Sequence, residues 1–266
     1  MSAVNIPAIP DLGARSDEIT IFAGPCSVES VEQFEEAAAC VAGLGLKWIR
    51  GGAFKPRTNP HSFQGLGEEA LKIMKNAGEK YGLLTLTEVM DSAHCELVHS
   101  YVDGLQVGAR NFQNFSLLHK IGQVTAESKK LVLYKRGFAG TIAEWLSATA
   151  YITECGNDNV VLCERGIRTF ETATRFTLDI AAVPVVHKQS LHPVCVDVSH
   201  PAGQRDLVPS LAKAAVAAGA DSLMIEVHPN PPAALSDGPQ QLTLAQFEQL
   251  VEELRVLAGA LGKRIV

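Results

Sequence analysis

Short apolar runs recur along the chain and alternate with longer amphipathic segments. The runs are rich in valine, isoleucine and leucine, and continuous apolar runs of this length are typical of strands that are buried on both faces. Eight of them are predicted strands, at residues 19–23, 46–50, 83–88, 104–107, 131–134, 160–163, 194–197 and 222–226.

The segments between the strands place apolar residues on one helical face. Ser30 and Gln33 form a capping-box pattern ahead of a helix that is predicted to end at Gly43. A final helix is predicted to open at Thr243. Further helices are predicted at residues 68–80, 141–154 and 206–218.

Eight alternations of strand and helix predict a parallel sheet, and eight strands are enough to close a barrel. The chain has 266 residues, and a (β/α)8 barrel needs about 250. The sequence therefore predicts an α/β fold with a single (β/α)8 TIM barrel at residues 18–266, a short N-terminal extension at residues 1–17 and no separate regulatory domain. An open doubly wound sheet is the alternative, although no G-x-G-x-x-G motif follows the first strand, which removes its common nucleotide-binding form.

Composition narrows the class of protein further. Hydrophobic residues make up 47% of the chain, charged residues 20%, and the formal net charge is −6. Without a long basic run, nucleic-acid binding has no electrostatic support, and no apolar run is long enough to predict a membrane span. The six cysteines form no C-x-x-C pair, and the N-terminal residues lack a signal-peptide pattern, so free thiols in the cytoplasm are predicted.

Polar residues follow every predicted strand, at the end of a barrel where functional residues lie. Six of them are cations: Arg50, Lys55, Arg57, Arg110, Lys135 and Arg165. Crowded cations repel one another unless an anion binds between them, and the arginine fork matches phosphate and carboxylate oxygens. The set predicts a ligand with more than one anionic group. Salt bridges to nearby carboxylates are the alternative for any single member.

A second set of residues at the same end could bind a metal ion. It consists of Cys26, His200, Glu226 and Asp237. A thiolate, an imidazole and two carboxylates suit a divalent ion such as Mn²⁺, Fe²⁺, Co²⁺ or Zn²⁺ better than Mg²⁺ or Ca²⁺. Because these residues are far apart in sequence, their spacing is a weak signal. A buried structural role for Cys26 and a substrate-binding role for His200 are the alternatives.

Long stretches of the chain resemble 3-deoxy-D-arabino-heptulosonate 7-phosphate (DAHP) synthases of the I-beta subfamily, which are related to 3-deoxy-D-manno-octulosonate 8-phosphate synthases. The matching stretches are FAGPCSVES (22–30), RGGAFKPRTNPHSFQGLG (50–67), LTEVMD (86–91), VGARNFQNF (107–115), YKRG (134–137), LCERGIRTFETATR (162–175), VDVSH (196–200) and MIEVHPNPPAALSDGPQ (224–240). The resemblance implies a metal-dependent aldol-type condensation of phosphoenolpyruvate with erythrose 4-phosphate and water, the first step of the shikimate pathway that leads to aromatic amino acids.

The resemblance also implies roles for individual residues. Cys26, His200, Glu226 and Asp237 match the metal ligands of the family. Phosphoenolpyruvate would contact Arg110, Lys135 and Arg165, with Arg50 and Glu88 lining the same site, and erythrose 4-phosphate would contact Lys55, Pro56, Arg57 and Thr58. Lys135, Glu88, Arg50 and Lys55 are the catalytic candidates. Lys135 is the favoured proton donor because a desolvated lysine can shift its pKa whereas arginine stays charged.

Two departures from the family pattern affect loops. Val198 replaces the usual proline of an Asp-Pro-Ser-His motif, and Phe138-Ala139-Gly140 after the Lys-Arg-Gly motif is unusual. The departures leave the identity of the aldose open, and an octulosonate synthase that uses arabinose 5-phosphate is the nearest alternative. A non-catalytic barrel that binds phosphorylated metabolites and a synthase of secondary metabolism are two further alternatives. A homo-oligomer, dimer or tetramer, is expected, and any feedback regulation is expected to come from a partner protein.

Overall fold

The computed structural model describes residues 17–56 and 59–266. All eight predicted strands are present: β1 Glu18–Gly24, β2 Trp48–Arg50, β3 Leu84–Val89, β4 Gly104–Val107, β5 Leu131–Lys135, β6 Val160–Glu164, β7 Val194–Asp197 and β8 Ser222–Glu226. A short ninth strand, β9, spans Arg264–Ile265. Apart from Asp17, the predicted N-terminal extension lies outside the described residues.

The eight strands form a closed parallel barrel. Each strand pairs with the next along the chain, and β1 pairs with both β2 and β8. The closing register aligns Thr20 with Ser222 and Gly24 with Glu226. The predicted (β/α)8 barrel is therefore confirmed, and an open doubly wound sheet is excluded because such a sheet has two free edges. At the amino-terminal end, β9 adds to β1 through the pair Glu18 and Arg264.

Helices surround the barrel. Within the described residues they are α1 Val31–Gly43, α2 Glu68–Tyr81, α3 Cys95–Tyr101, α4 Phe115–Thr125, α5 Ile142–Thr153, α6 Ala182–Gln189, α7 Ser199–Ala202, α8 Val208–Ala217 and α9 Leu244–Ala260. Full capping boxes open α5 at Thr141 and α9 at Thr243. The capping box predicted for α1 is only half formed: Ser30 accepts from the Gln33 backbone N–H, but the Gln33 side chain accepts from Glu29. None of the described helices is long and apolar enough to cross a membrane.

The apolar core has two layers. The larger layer lies between the strands and the helices, and includes the fully buried Phe34, Trp145 and Phe247. A smaller layer fills the barrel interior, where the rings of Phe22 and Trp48 meet edge to face with centroids 5.3 Å apart. Because side chains fill the interior, a ligand has room only at a mouth of the barrel.

Candidate active site at the carboxyl-terminal mouth

A cavity of about 310 Å³ opens at the carboxyl-terminal ends of the strands. Four of the six predicted cations line it: Lys55, Arg110, Lys135 and Arg165. Pro56, Glu88, His200 and Asp237 line the same cavity. Parallel strands of a barrel point the same way, so residues that are more than 180 positions apart in the chain meet here. Arg57 and Thr58 lie outside the described residues.

Three of the four predicted metal ligands form a tight group. The Cys26 sulfur and one carboxylate oxygen each of Glu226 and Asp237 lie within 4.8 Å of one another. Cys26 follows β1, and Glu226 ends the neighbouring strand β8. Asp237 comes from the loop after β8, where its backbone adopts a left-handed conformation with φ of 48°. Aspartate tolerates this conformation better than most residues.

His200, the fourth predicted ligand, aims its ring at the same group. Its Nε2 lies 3.6 Å from Glu226 Oε1 and 4.0 Å from Asp237 Oδ2. Its Nδ1 is 2.7 Å from Oδ2 of Asp197, a buried carboxylate at the end of β7. Burial lowers the pKa of His200 despite the neighbouring Asp197 and Glu226. Burial therefore favours the neutral ring, the form in which imidazole binds a metal ion.

The surroundings of Cys26 also favour a bound cation. Burial, with Glu226 and Asp237 close by, raises the pKa of the thiol to about 12. The Lys55 Nζ lies 3.0 Å from the sulfur and offsets only part of this effect. A divalent ion would deprotonate the thiol and balance the two carboxylates at once. One thiolate, one imidazole and two carboxylates thus fit a borderline divalent ion.

Arg50 lies beside the metal-ligand group and away from the open cavity. Its Nη1 donates to Glu226 Oε1 at 3.2 Å and to the Pro25 carbonyl at 2.7 Å, and the residue is buried. Gln240 and Gln241 add further support: Gln240 donates to Glu226 Oε2 at 2.7 Å, and Gln241 accepts from the Cys26 backbone at 3.0 Å. Arg50 therefore orients a predicted ligand, and its role in substrate binding stays a prediction.

Lys135 is tied to the metal-ligand group through Asp197. Its Nζ donates to Asp197 Oδ2 at 2.7 Å, and both side chains are almost fully buried. The same oxygen faces His200 Nδ1. One carboxylate oxygen therefore positions both the predicted proton donor and a predicted metal ligand.

Arg165 differs from the other buried cations because no carboxylate of residues 17–56 and 59–266 forms an ion pair with it. It is 5% exposed, and its Nη1 is buried without a hydrogen-bond partner among the described residues. Burial lowers its pKa from the ordinary arginine value. The neighbouring Arg136, by contrast, does not line the cavity and pairs with Glu164 at 3.0 Å and Asp179 at 2.7 Å. An unpaired buried guanidinium is costly and indicates a site for an anion.

Glu88 and Arg110 complete the cavity wall. Gln106 Nε2 donates to Glu88 Oε2 at 3.0 Å. Gly108 leaves room for this carboxylate, since a Cβ there would lie 2.0 Å from Glu88 Oε1. Arg110 is exposed at the mouth, and its guanidinium carbon is 5.9 Å from the ring centroid of Phe138.

Several residues of the mouth were missed by the sequence prediction. They are Asp197, Gln240, Gln241 and Arg175, together with the cavity-lining rings Phe138 and Phe176. Arg175 Nη1 lies 3.2 Å from Asp237 Oδ2. Asp197 could have been found, because it ends a predicted strand three residues before His200. The other residues lie in loops whose paths no periodicity fixes.

Fold and mouth together define a (β/α)8 barrel with a cation-lined cavity next to a group of side chains that could hold a metal ion. The family follows from comparison with known sequences. The chain belongs to the DAHP synthetase I family, whose model matches residues 12–260.

Individual relatives agree with this assignment. Phospho-2-dehydro-3-deoxyheptonate aldolase of Thermotoga maritima is 52% identical over 255 residues, which cover 96% of this chain and 74% of that protein. A 2-dehydro-3-deoxyphosphooctonate aldolase of Caulobacter vibrioides is 33% identical over 260 residues, which cover 90% of this chain and 88% of that protein.

Two solved structures have the same fold. The crystal structure of DAHP synthase from Thermotoga maritima has a TM-score of 0.90 and 51% identity, covering 94% of this chain and 72% of that chain. A truncated form of the synthase from Thermotoga maritima has a TM-score of 0.86 and 47% identity, covering 94% and 90%.

Proposed function

We propose that this protein is a 3-deoxy-7-phosphoheptulonate synthase. It condenses phosphoenolpyruvate with erythrose 4-phosphate and water, and releases DAHP and inorganic phosphate. The observation that carries the proposal is the buried Arg165, whose Nη1 has no hydrogen-bond partner among the described residues. Arg165 lines the same cavity as Lys135, His200 and Asp237. This combination of an anion site and metal-binding side chains matches the needs of the reaction.

Arg165, Lys135 and Arg110 would bind the phosphate and carboxylate groups of phosphoenolpyruvate. The guanidinium of Arg165 is pre-positioned, so little side-chain entropy is lost when the anion binds. Lys135 has three donor hydrogens, and Asp197 accepts only one of them in the described structure. The remaining hydrogens are available to the ligand.

The reaction joins the methylene carbon of phosphoenolpyruvate to the aldehyde carbon of the sugar. Lys135 is the proposed donor of a proton to the former aldehyde oxygen. A divalent ion held by Cys26, His200, Glu226 and Asp237 would supply Lewis-acid activation of the aldehyde. Water then adds to the phosphate-bearing carbon, and the carbon–oxygen bond to phosphate breaks. Glu88 lines the cavity and is the candidate base for the water.

Erythrose 4-phosphate is the favoured aldose. Lys55 and Pro56 line the cavity, and the Lys-Pro-Arg-Thr run at residues 55–58 resembles the aldose-binding loop of the heptulosonate synthases. The greater identity to the heptonate aldolase than to the octonate aldolase supports the same choice. Placement at the first step of the shikimate pathway, manganese as one of the possible metal ions, and a homo-oligomeric state are part of this proposal.

Phosphate release tests the proposal directly. Metal-stripped and metal-replete protein would be assayed with phosphoenolpyruvate and either erythrose 4-phosphate or arabinose 5-phosphate. We expect release with erythrose 4-phosphate only, loss of activity on chelation and recovery with Mn²⁺. Release with arabinose 5-phosphate alone would instead identify an octulosonate synthase. Binding of phosphoenolpyruvate without phosphate release in the presence of either sugar would identify a non-catalytic barrel.

A further inference from the structure

Two phenylalanine rings form the wall of the cavity behind Arg165. Phe138 lies in the loop after β5, and Phe176 lies in the segment between β6 and α6. Their rings are stacked, with centroids 5.2 Å apart and planes 7° from parallel. Both line the cavity. We call Phe138 and Phe176 the aromatic pair.

Arg165 packs directly on the aromatic pair. Its guanidinium carbon lies 4.1 Å from the ring centroid of Phe176 and 5.0 Å from that of Phe138. Aromatic faces attract a guanidinium, and the attraction is strongest where water is excluded. Among the described residues, Arg165 forms no ion pair with a carboxylate. The aromatic pair therefore packs against a buried charge that forms no ion pair among these residues.

The difference between an aromatic and an acidic neighbour matters for ligand binding. A carboxylate would hold Arg165 through its N–H groups, which an incoming anion also needs. A ring attracts the charge without accepting a strong hydrogen bond, so the N–H groups stay available. The unpartnered Nη1 of Arg165 agrees with this arrangement. Arg136 illustrates the opposite case, since two carboxylates occupy its Nη1.

Backbone hydrogen bonds fix the aromatic pair. The Phe138 carbonyl accepts from the Arg168 N–H at 2.7 Å, and the Phe176 N–H donates to the Pro201 carbonyl at 3.1 Å. Ile167 and Thr177 exchange two backbone bonds of 2.9 Å each, which brings Phe176 back beside Arg165. The loops after three different strands therefore meet at this point.

We propose that Phe138 and Phe176 are positioning residues that hold Arg165 ready for an anionic group of the substrate. The proposal rests on the proposed function in naming phosphoenolpyruvate as that substrate. It assigns a role to Phe138, which the sequence shows only as a departure from the family pattern. Neither ring takes part in bond making. Each acts through Arg165, whose guanidinium lies closer to both rings than those of Arg110 and Arg175.

The test compares Phe138→Leu, which removes the ring, with Phe138→Tyr, which keeps it. Phe170→Leu is the matched control, because Phe170 lies in the same loop as Phe176 but is 96% exposed. Each metal-replete protein would be titrated with phosphoenolpyruvate and, separately, with inorganic phosphate, and KM and kcat would be measured for both substrates. Phe176→Leu would repeat the test at the second ring, and thermal unfolding would identify variants that do not fold.

We expect Phe138→Leu to weaken phosphoenolpyruvate binding about five- to tenfold, in line with a partly buried cation–π contact. KM for the aldose should stay within about twofold, and Phe138→Tyr and Phe170→Leu should match the wild-type protein. Equal losses in the Leu and Tyr variants, or equal losses for both substrates, would overturn the positioning role. So would Phe138→Leu and Phe176→Leu variants that bind like the wild-type protein.

Inorganic phosphate separates this inference from the proposed function. Arg165→Leu should abolish or strongly weaken phosphate binding, and Phe138→Leu should weaken it in part. If the protein bound phosphate in this Arg165-dependent way but released none from phosphoenolpyruvate, the proposed function would fail and the positioning role would stand. If the wild-type protein bound neither anion, or bound both no better than the Arg165→Leu variant does, the proposed function and the positioning role would both be contradicted.

Discussion

Replacing Asp197 with asparagine is expected to weaken metal binding and protein stability together. Asp197 Oδ2 contacts both Lys135 Nζ and His200 Nδ1 at 2.7 Å, and the side chain is fully buried. Asparagine keeps an oxygen for the backbone N–H groups of Ser199 and His200, which Asp197 Oδ1 accepts at 3.2 and 3.1 Å. It places an NH₂ group where Oδ2 stood, which cannot accept from Lys135.

The magnitude follows from the burial of the pair. Lys135 has only 4% of its side chain exposed, and removal of one partner from a buried ion pair costs about 3–5 kcal/mol. The anchoring of His200 is also lost, and loss of such an anchor weakens metal affinity about 10- to 100-fold. Urea unfolding of the metal-free protein measures the first effect, and titration with Mn²⁺ under a competing chelator measures the second.

Asp221 provides a matched control. Its Oδ2 accepts from His187 Nε2 and from the Val194 backbone, each at 2.7 Å, and only 6% of the side chain is exposed. It lies at the amino-terminal end of the barrel, where β8 begins. Asp221→Asn should therefore lower stability and leave metal affinity unchanged. If Asp197→Asn bound Mn²⁺ within twofold of the wild-type protein, the anchoring argument would be refuted.

Three further predictions concern the mouth of the barrel. Cys26→Ala should purify with little metal, and unchanged metal content by elemental analysis would argue against ligation by the thiol. Arg57→Ala should raise KM for the aldose more than KM for phosphoenolpyruvate. If steady-state kinetics showed the reverse, the loop would not be the aldose-binding loop. Gly24→Ala should lower the free energy of unfolding by about 3 kcal/mol, since its φ is +150° and a Cβ would lie 1.9 Å from the Arg50 carbonyl oxygen. Unfolding in urea with a loss below about 1 kcal/mol would contradict that steric argument.

The barrel could be predicted because its strands are buried on both faces. Such strands appear as continuous apolar runs, and those at Gly104–Val107, Val194–Asp197 and Ser222–Glu226 were placed with their observed bounds. Once eight parallel strands were assigned, their carboxyl ends had to share one mouth. The meeting of Cys26 with Glu226 and Asp237 follows from that geometry rather than from their spacing in the chain.

Side-chain direction and loop path could not be predicted in the same way. The side chain of a residue at a strand end can line the cavity, as that of Lys135 does. It can instead contact a predicted metal-ligating side chain, as Arg50 contacts Glu226. Position along the strand does not distinguish the two. The aromatic pair depends on the path of the segment between β6 and α6, which is fixed by long-range backbone contacts such as that between Phe176 and Pro201.

The pairing of β1 with β8 means that the first and last strands of the barrel meet at a seam. Cys26 stands on one side of this seam, and Glu226 and Asp237 stand on the other. An ion bound between them would link the first strand of the barrel to the last. Only a closed barrel brings the complete set of ligands together. A cation at 100 times its dissociation constant would then add about 2.7 kcal/mol to the stability of the closed form. Metal binding would thus stabilise the closed barrel in addition to activating the aldehyde.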